Sequence, residues 1–327
     1  MLIDSYQRKL TYLRLSITDR CNLRCCYCMP HGMHLKLDHK DILTYEELLT
    51  IVRCAVSEGV NKVRLTGGEP LIRKNLINFV RKLSGLPTPP ELCLTTNGVL
   101  LEELAADLYE AGISRVNISL DSLDPANFQR ITGLAEFERV WRGLEAALAL
   151  GFKQVKINVV VIRNHNEHEL IDFARLSLDR PLEVRFIEYM PMSMVGYWSQ
   201  DKFISVREMK ECLSPLGPLT PIASGDSDGP ASKFRLPDAV GKVGFISAVT
   251  EHFCSSCNRL RVTADGKLRL CLLSNREVDL KTPLRSGATE AEVAALLKRA
   301  VINKPKQHHL DQIHDHASNR TMNLIGG

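Results

Sequence analysis

Six short runs of β-branched and apolar residues alternate with longer amphipathic stretches, and this alternation constrains the fold more than any other feature of the chain. The runs are LRLSIT from Leu13, KVRLT from Lys62, LCLTT from Leu92, RVNISLD from Arg115, QVKINVVVI from Gln154 and LEVRFIEYM from Leu182. Helical patterns begin near Tyr45, Lys74, Leu101, Glu136 and Asn166. Strand and helix in turn, at roughly 30 residues per unit, predict a parallel sheet built from βαβ units. Six units fall short of the eight of a closed barrel. The expected fold is therefore α/β, an incomplete (β/α)6 TIM-type barrel.

The strands carry polar residues toward their C-terminal ends: Arg64 and Thr66, Thr95 and Asn97, Asn117 and Ser119, Lys156 and Asn158, and Arg185. Residues two apart in a strand share a face. A closed barrel fills its interior with branched apolar side chains, so repeated polar pairs predict a ligand pocket at the C-terminal face. Solvent-facing strand ends would explain one such pair, but not this pattern in five strands of six.

After Met190 the pattern changes. PIASGDSDGPASKF is loop-like. GKVGFISAVT and RLRVTADGKLRLCL read as strands, the second as a hairpin whose ADG loop places Gly266 at the left-handed position of a G1 bulge. That register pairs Thr263 with Lys267, Arg261 with Arg269 and Arg259 with Cys271, all on one face. The expected division is 1–190 as the partial barrel and 191–327 as a C-terminal antiparallel β module.

Cysteine is the second strong signal. TDRCNLRCCYCMP holds four of the ten cysteines; Cys21, Cys25 and Cys28 form CxxxCxxC, with Cys26 outside the pattern. Cys254, Cys257 and Cys271 form a second trio. The N-terminus has no apolar signal region, and no run reaches the ~18 apolar residues of a membrane span. A soluble, cytoplasmic protein is expected, with no membrane partner. There, thiols serve metal or catalysis rather than disulfides. Structural zinc wants four ligands. An iron–sulfur cubane normally takes four thiolates, so three leave one iron open. A CxxC alone also suits redox or zinc chemistry, and spacing does not decide whether the two trios share one metal. Cys54, Cys93 and Cys212 fall in helix or strand and read as packing residues.

With 42 basic and 38 acidic residues, the net charge of +4 is too balanced for bulk nucleic-acid binding. Local clusters are more informative. Arg14, Lys62, Arg64, Lys156, Arg185, Arg259 and Arg261 all lie on β segments. A buried cation needs a counter-charge, and a triphosphate offers several. No GxxxxGKS occurs, so the chain is not a P-loop protein.

CxxxCxxC after a first strand, Tyr27 before its last cysteine, and TGGEP from Thr66 together resemble the radical S-adenosylmethionine superfamily. The resemblance implies a 4Fe–4S cluster on Cys21, Cys25 and Cys28 whose open iron binds S-adenosylmethionine and cleaves it to a 5′-deoxyadenosyl radical. It implies that the Gly68 backbone meets the amino group, that Ser119 and Met190 contact the same cofactor, and that the Tyr27 backbone meets its adenine.

CNLRCCYC, TGGEP, LTTNG, NISLDSL, EYMPM, CSSCNRLRVTADGKLRLCL and the terminal Gly326-Gly327 resemble one branch over nearly the whole chain, the GTP 3′,8-cyclase family of molybdenum cofactor biosynthesis. That resemblance implies a second 4Fe–4S cluster on Cys254, Cys257 and Cys271, with the guanine of GTP at its open iron. It implies substrate contacts from Arg14, Arg64, Thr95, Lys156, Arg259, Leu260 and Arg261, with Lys62 and Arg185 as further basic groups. Catalytic roles fall to Arg259, Arg261, Gly326 and Gly327. The implied reaction takes hydrogen from carbon 3′ of GTP and joins that carbon to carbon 8. Implied partners are an electron donor, a downstream cyclic pyranopterin monophosphate synthase and a second copy in a homodimer. Two alternatives stand beside this reading: a peptide-modifying radical enzyme with an auxiliary cluster, which usually has more C-terminal cysteines, and a zinc-stabilised binding protein. Iron and sulfide analysis separates the last.

Overall fold

A computed structural model describes residues 1–29, 36–192, 197–223, 229–308 and 320–326. All six anticipated strands are present: β1 (Tyr12–Ser16), β2 (Lys62–Thr66), β3 (Glu91–Thr96), β4 (Ile113–Ser119), β5 (Gln154–Val161) and β6 (Leu182–Glu188). They pair in parallel in chain order. The helices between them are α1 (Tyr45–Ser57), α2 (Leu76–Ser84), α3 (Leu101–Ala111), α4 (Pro125–Thr132), α5 (Phe137–Ala149) and α6 (Leu170–Asp179). The start of α1 shows how local sequence sets a boundary. Thr44 Oγ1 accepts the Glu47 N–H at 3.2 Å, and the Glu47 carboxylate accepts the Thr44 N–H at 2.7 Å, a reciprocal cap for two orphan donors. Helix α4 was not anticipated, although Asp124 caps it, Pro125 opens it and left-handed Gly133 ends it. Its short amphipathic stretch runs close to the longer pattern of α5.

The later elements are α7 (Val206–Cys212), β7 (Thr220–Ile222), β8 (Ser232–Arg235), β9 (Lys242–Ile246), β10 (Arg259–Val262), β11 (Lys267–Arg269), β12 (Glu277–Asp279), α8 (Lys281–Arg285) and α9 (Glu290–Val301), with a last helical turn at Met322–Ile325. Among the described residues the twelve strands form one sheet, ordered β12-β11-β10-β1-β2-β3-β4-β5-β6-β9-β8-β7. β7, β8 and β9 pair antiparallel, as do β10, β11 and β12. Yet β10 pairs in parallel with β1, and β9 in parallel with β6. The parallel run is thus eight strands rather than six. β1 and β6 would otherwise present edges with unpaired backbone groups; the C-terminal strands cover both. The sheet stays open, with β12 and β7 at its edges.

The hairpin has the expected turn. Thr263 N–H donates to Lys267 O at 2.9 Å, Arg261 faces Arg269, and Gly266 has φ +79°, where glycine avoids the Cβ penalty. β11 ends at Arg269, so the expected Arg259–Cys271 pair lies outside the ladder. Strand alternation sends Leu13, Leu15, Val63, Leu65, Leu94, Val116, Ile118, Ile157 and Val184 into the core under the helices, each worth about 1.5–3 kcal/mol when fully buried. The alternate positions face the other way and build the site. Cys54 and Cys93 are buried as expected, but Cys212 is exposed, because it ends the short α7. No described helix is long and apolar enough to cross a membrane.

Candidate active site

A cavity of about 310 Å³ lies against the polar face of the strands. Both cysteine trios line it, as do Tyr27, Gly68, Ser119 and Met190. Arg14, Lys62, Arg64, Thr95, Lys156, Arg185, Arg259 and Arg261 line it too. The polar strand pairs therefore face a pocket rather than solvent. Leu260 is the exception. It sits between Arg259 and Arg261 on β10, and alternation turns its fully buried side chain into the core, so only its backbone could meet a ligand. Gly326 is buried, and Arg261 Nη1 donates to its carbonyl at 3.4 Å. Gly327 lies outside the described residues.

The surroundings of the N-terminal trio are acidic and closely built. Gly68 N–H donates to Thr18 O and Glu69 N–H to Arg20 O, both at 2.7 Å. A Cβ on Gly68 would fall 2.3 Å from Arg20 O, so only glycine allows TGGEP to lie on the loop that leads into Cys21. Buried Glu69 accepts from Thr96 Oγ1 at 2.8 Å, Asn97 N at 2.6 Å and Leu71 N at 3.0 Å, yet burial still pushes its carboxyl up to about 7. Asn97 Nδ2 reaches Asn22 Oδ1 at 2.8 Å and Cys21 Sγ at 3.7 Å. Tyr27 O–H donates to Asp121 Oδ2 at 2.5 Å, and Val160 N–H to Asp121 Oδ1 at 2.8 Å; burial raises Asp121 to about 6. Burial, then the charge of neighbouring thiols and Asp121, holds Cys25 well above the ordinary thiol range. Burial with Cys21 pushes Cys28 up to about 12, and burial also raises Cys21.

The surroundings of the C-terminal trio are cationic. Arg64 Nε donates to the Tyr12 hydroxyl and Nη1 to Leu94 O, both at 2.6 Å. Burial raises Tyr12, but Arg64 and Arg14 outweigh it and bring the phenol down to about 8. Burial, with Arg64 and Arg259 alongside, lowers Arg14 to about 10; burial, Arg14 and Arg259 hold Arg261 well below the guanidinium range. The Arg259 guanidinium lies 4.5 Å from the Phe253 ring centroid. Burial alone would raise Cys257, but Arg259 and Lys304 draw it down to about 6. Further along the sheet, Glu183 pairs with Arg185 and lies 3.3 Å from Lys156 Nζ. Burial and Arg185 outweigh that carboxylate, so Lys156 falls to about 6. Lys62 Nζ is 3.3 Å from Glu91.

Among the described residues, five buried polar atoms lining the cavity have no hydrogen-bond partner: Arg14 Nε, Thr66 Oγ1, Asn117 Oδ1, Asn158 Oδ1 and Arg185 Nη2. Such groups are rare in a finished interior, and water or a ligand would satisfy them. Glu69, Asp121, Tyr12 and Glu183 were not singled out from the sequence. Glu69 was visible inside GGEP, and Asp121 inside NISLDS. Tyr12 and Glu183 carried no signal beyond their place in a strand.

Residues 15–177 match the Radical SAM superfamily and residues 182–310 match Molybdenum Cofactor Synthesis C. Curated relatives named GTP 3′,8-cyclase are 49% identical in Moorella thermoacetica and 48% identical in Pelotomaculum thermopropionicum, each over 99% of both chains. The chain belongs to the GTP 3′,8-cyclase family. Among solved structures, Streptococcus suis SuiB bound to its precursor peptide SuiA matches with a TM-score of 0.63 at 15% identity, covering 94% of this chain and 76% of that one; this likeness concerns the fold. Two 4Fe–4S clusters and S-adenosylmethionine are the cofactors of a GTP 3′,8-cyclase. The residues present fit them. Two sets of three thiols open on one cavity, and unpartnered donors and acceptors stand between strands that line it. No three described His, Cys, Asp or Glu side chains converge on a single ion, and a cubane, which gives each thiolate its own iron, asks for no such convergence.

Proposed function

We infer that this chain catalyses the first step of molybdenum cofactor biosynthesis, the radical cyclisation of GTP to 3′,8-cyclo-7,8-dihydro-GTP. The observation that carries the reading is the meeting of both cysteine trios and the cationic strand face in one cavity. Cys21, Cys25 and Cys28 would hold the first cluster, and Cys254, Cys257 and Cys271 the second. When bound, the first cluster and S-adenosylmethionine supply the 5′-deoxyadenosyl radical that takes hydrogen from carbon 3′ of the ribose before that carbon closes on carbon 8.

The chain's own residues place the two small molecules. Gly68 N–H is committed to Thr18 O, so a backbone carbonyl at TGGEP would accept from the cofactor's ammonium. Tyr27, Ser119 and Met190 line the same region, and the Tyr27 ring is fixed by Asp121. The triphosphate would lie on Arg14, Arg64, Lys156 and Arg185, giving Arg14 Nε and Arg185 Nη2 the acceptors they lack. Lys62 sits beside them but shares its charge with Glu91. Thr95 lines the pocket next to Arg64. Arg259 and Arg261 flank the second trio, and Arg261 ties in the Gly326 carbonyl. Residues 1–190 would thus serve the cofactor and the triphosphate, and 191–327 the guanine and tail, while a reductant, a downstream synthase acting on the product, a homodimer and a cytoplasmic setting complete the reading. Anaerobic incubation with GTP deuterated at carbon 3′, S-adenosylmethionine and a reductant tests it. Deuterium should appear in 5′-deoxyadenosine beside an isomer of GTP. Cofactor cleavage that never carries deuterium from GTP would reject the substrate.

A further inference from the structure

Behind the C-terminal cysteines lies a polar assembly that takes no part in the mechanism above. Arg8 is buried in the N-terminal segment, and its Nε donates to Asp4 Oδ2 at 2.6 Å. Asp4 is held in turn by the Tyr6 and Arg8 N–H groups, at 2.9 and 3.0 Å on Oδ1. The guanidinium so aimed grips three carbonyls. Nη1 donates to Cys254 O at 2.6 Å and Lys306 O at 3.0 Å; Nη2 donates to Pro305 O at 2.6 Å.

Lys304 directly precedes Pro305 and Lys306, whose carbonyls Arg8 grips. It is 3% exposed, and its ammonium donates to Arg259 O at 2.9 Å and to Leu270 O. Arg259 follows Cys257 by two residues, and Leu270 precedes Cys271 by one. All three cysteine-bearing stretches are therefore tied to two buried cations, Arg8 and Lys304. Arg8 has a carboxylate partner. Among the described residues the Lys304 ammonium is bonded to the Arg259 and Leu270 carbonyls; burial works against its charge, as do Arg8 and Arg259, while Cys257 and Cys271 favour it. Burying an ammonium is expensive unless an anion stands near. A cluster held by Cys257 and Cys271 would supply that anion.

We propose that Arg8 and Lys304 form a clasp for the second cluster, with Lys304 a positioning residue that fixes the Cys257 and Cys271 stretches and supplies the nearby positive charge. This rests on the assignment of the second trio as cluster ligands. Removing a positive charge beside a cluster makes it harder to reduce, because the added electron loses an attraction. Loosening the carbonyl ties makes its iron easier to extract.

The test uses the full chain, reconstituted anaerobically, as wild type, Lys304→Met, Lys304→Arg and Arg8→Lys. Wild type is measured first: about eight irons per chain mean two cubanes, and about four, with the C-terminal trio empty, overturn the cluster assignment itself. With eight in wild type, Lys304→Met should give the second cluster a lower reduction potential in a titration followed by electron paramagnetic resonance. It should also lose that cluster's iron to a chelator at least about tenfold faster, with the first cluster's signal unchanged. Lys304→Arg should restore the potential. Equal potentials and iron-loss rates in wild type and Lys304→Met overturn the clasp, as does a Lys304→Arg chain that behaves like Lys304→Met. If Lys304→Met does not fold, Arg8→Lys decides. It keeps the charge but loses the fork that spans three carbonyls, so selective loss of the second cluster's iron supports the clasp and wild-type retention rejects it.

Discussion

Around the N-terminal trio, burial and the nearby carboxyls of Glu69 and Asp121 push thiols upward; around the C-terminal trio, Arg259 and Lys304 pull Cys257 down to about 6. The contrast is carried by Cys257, since burial raises Cys254 in the same trio. The contrast suits the proposed placement of S-adenosylmethionine at the first trio and of the triphosphate on Arg14, Arg64, Lys156 and Arg185, on the strands beside the second. S-adenosylmethionine brings a sulfonium and an ammonium, which an acidic neighbourhood accepts. GTP brings a triphosphate, which arginines and lysines accept. A field of the wrong sign would charge each ligand a desolvation penalty without return. The sheet topology explains how one cavity holds both fields. The C-terminal hairpin docks beside β1 through β10, so Arg259 and Arg261 stand in register with Tyr12 and Arg14.

The contrast breaks first at its chemical source. Cys25→Ala removes a thiolate from the N-terminal trio, and formation of 5′-deoxyadenosine should fall to background with or without GTP. Wild-type cofactor cleavage in this variant would end the assignment. Cys271→Ala is the matched test at the other end. Iron should fall from about eight to about four per chain, and cyclisation should be lost while slow, GTP-independent cofactor cleavage survives. Loss of both clusters would mean that the two ends are not separate sites.

The sequence displayed the two ends unequally. CxxxCxxC and GGEP are each unbroken in the chain, so Gly68 and Tyr27 could be singled out as lining residues of the N-terminal end of the cavity, whereas Glu69 and Asp121 were not. The second site was legible as CxxC, a distant Cys271 and flanking arginines. What stayed hidden there depended on the fold. Nothing in the order of residues says that Arg8, near the start of the chain, grips Cys254 O, or that Lys304 bonds Leu270 O. The parallel docking of β10 on β1 and β9 on β6 was hidden for the same reason: antiparallel hairpins announce themselves through local turns, whereas parallel pairings are made between distant segments. The short α4 had local signals, Asp124 and Pro125, and was missed because its apolar stripe is brief. Leu260 shows the limit of motif transfer, since alternation buries its side chain while its neighbours line the cavity.

The tail tests whether the two ends cooperate. Arg320 pairs with Asp265 at 2.9 Å, on the turn that follows β10, and with Glu277 at 2.8 Å, on β12. Asn323 Nδ2 donates to Asp19 O at 3.1 Å, just before the first trio. Gly326 is left-handed at φ +84°, and a Cβ there would fall 2.5 Å from Ser16 Cβ. The tail therefore joins both sites through its anchors and places the Gly326 carbonyl on Arg261. Deleting Gly326 and Gly327 should leave both clusters and GTP affinity near wild type but lower cyclised product by about 10²-fold, the scale of misplacing a positioned group. Product at the wild-type rate would make the tail a bystander.

The smallest expected effect sharpens the cationic side. Lys156 titrates at about 6 in the free protein because burial and Arg185 outweigh Glu183. At neutral pH and above it is mostly uncharged. A triphosphate laid beside it favours the ammonium, so GTP binding takes up a proton. The sign follows from linkage. Below pH 6 the charge is already present and affinity is full. As pH rises past 6, each binding event must also protonate Lys156, and affinity falls by up to about tenfold per unit until the bound-state value is reached. Calorimetry near pH 8 in two buffers of different ionisation enthalpy counts the protons. GTP itself titrates, so Lys156→Met provides the baseline. Wild type should take up close to one proton more than the variant. An equal count would mean that Glu183 already keeps Lys156 charged, and that the cationic field is fully formed before the nucleotide arrives.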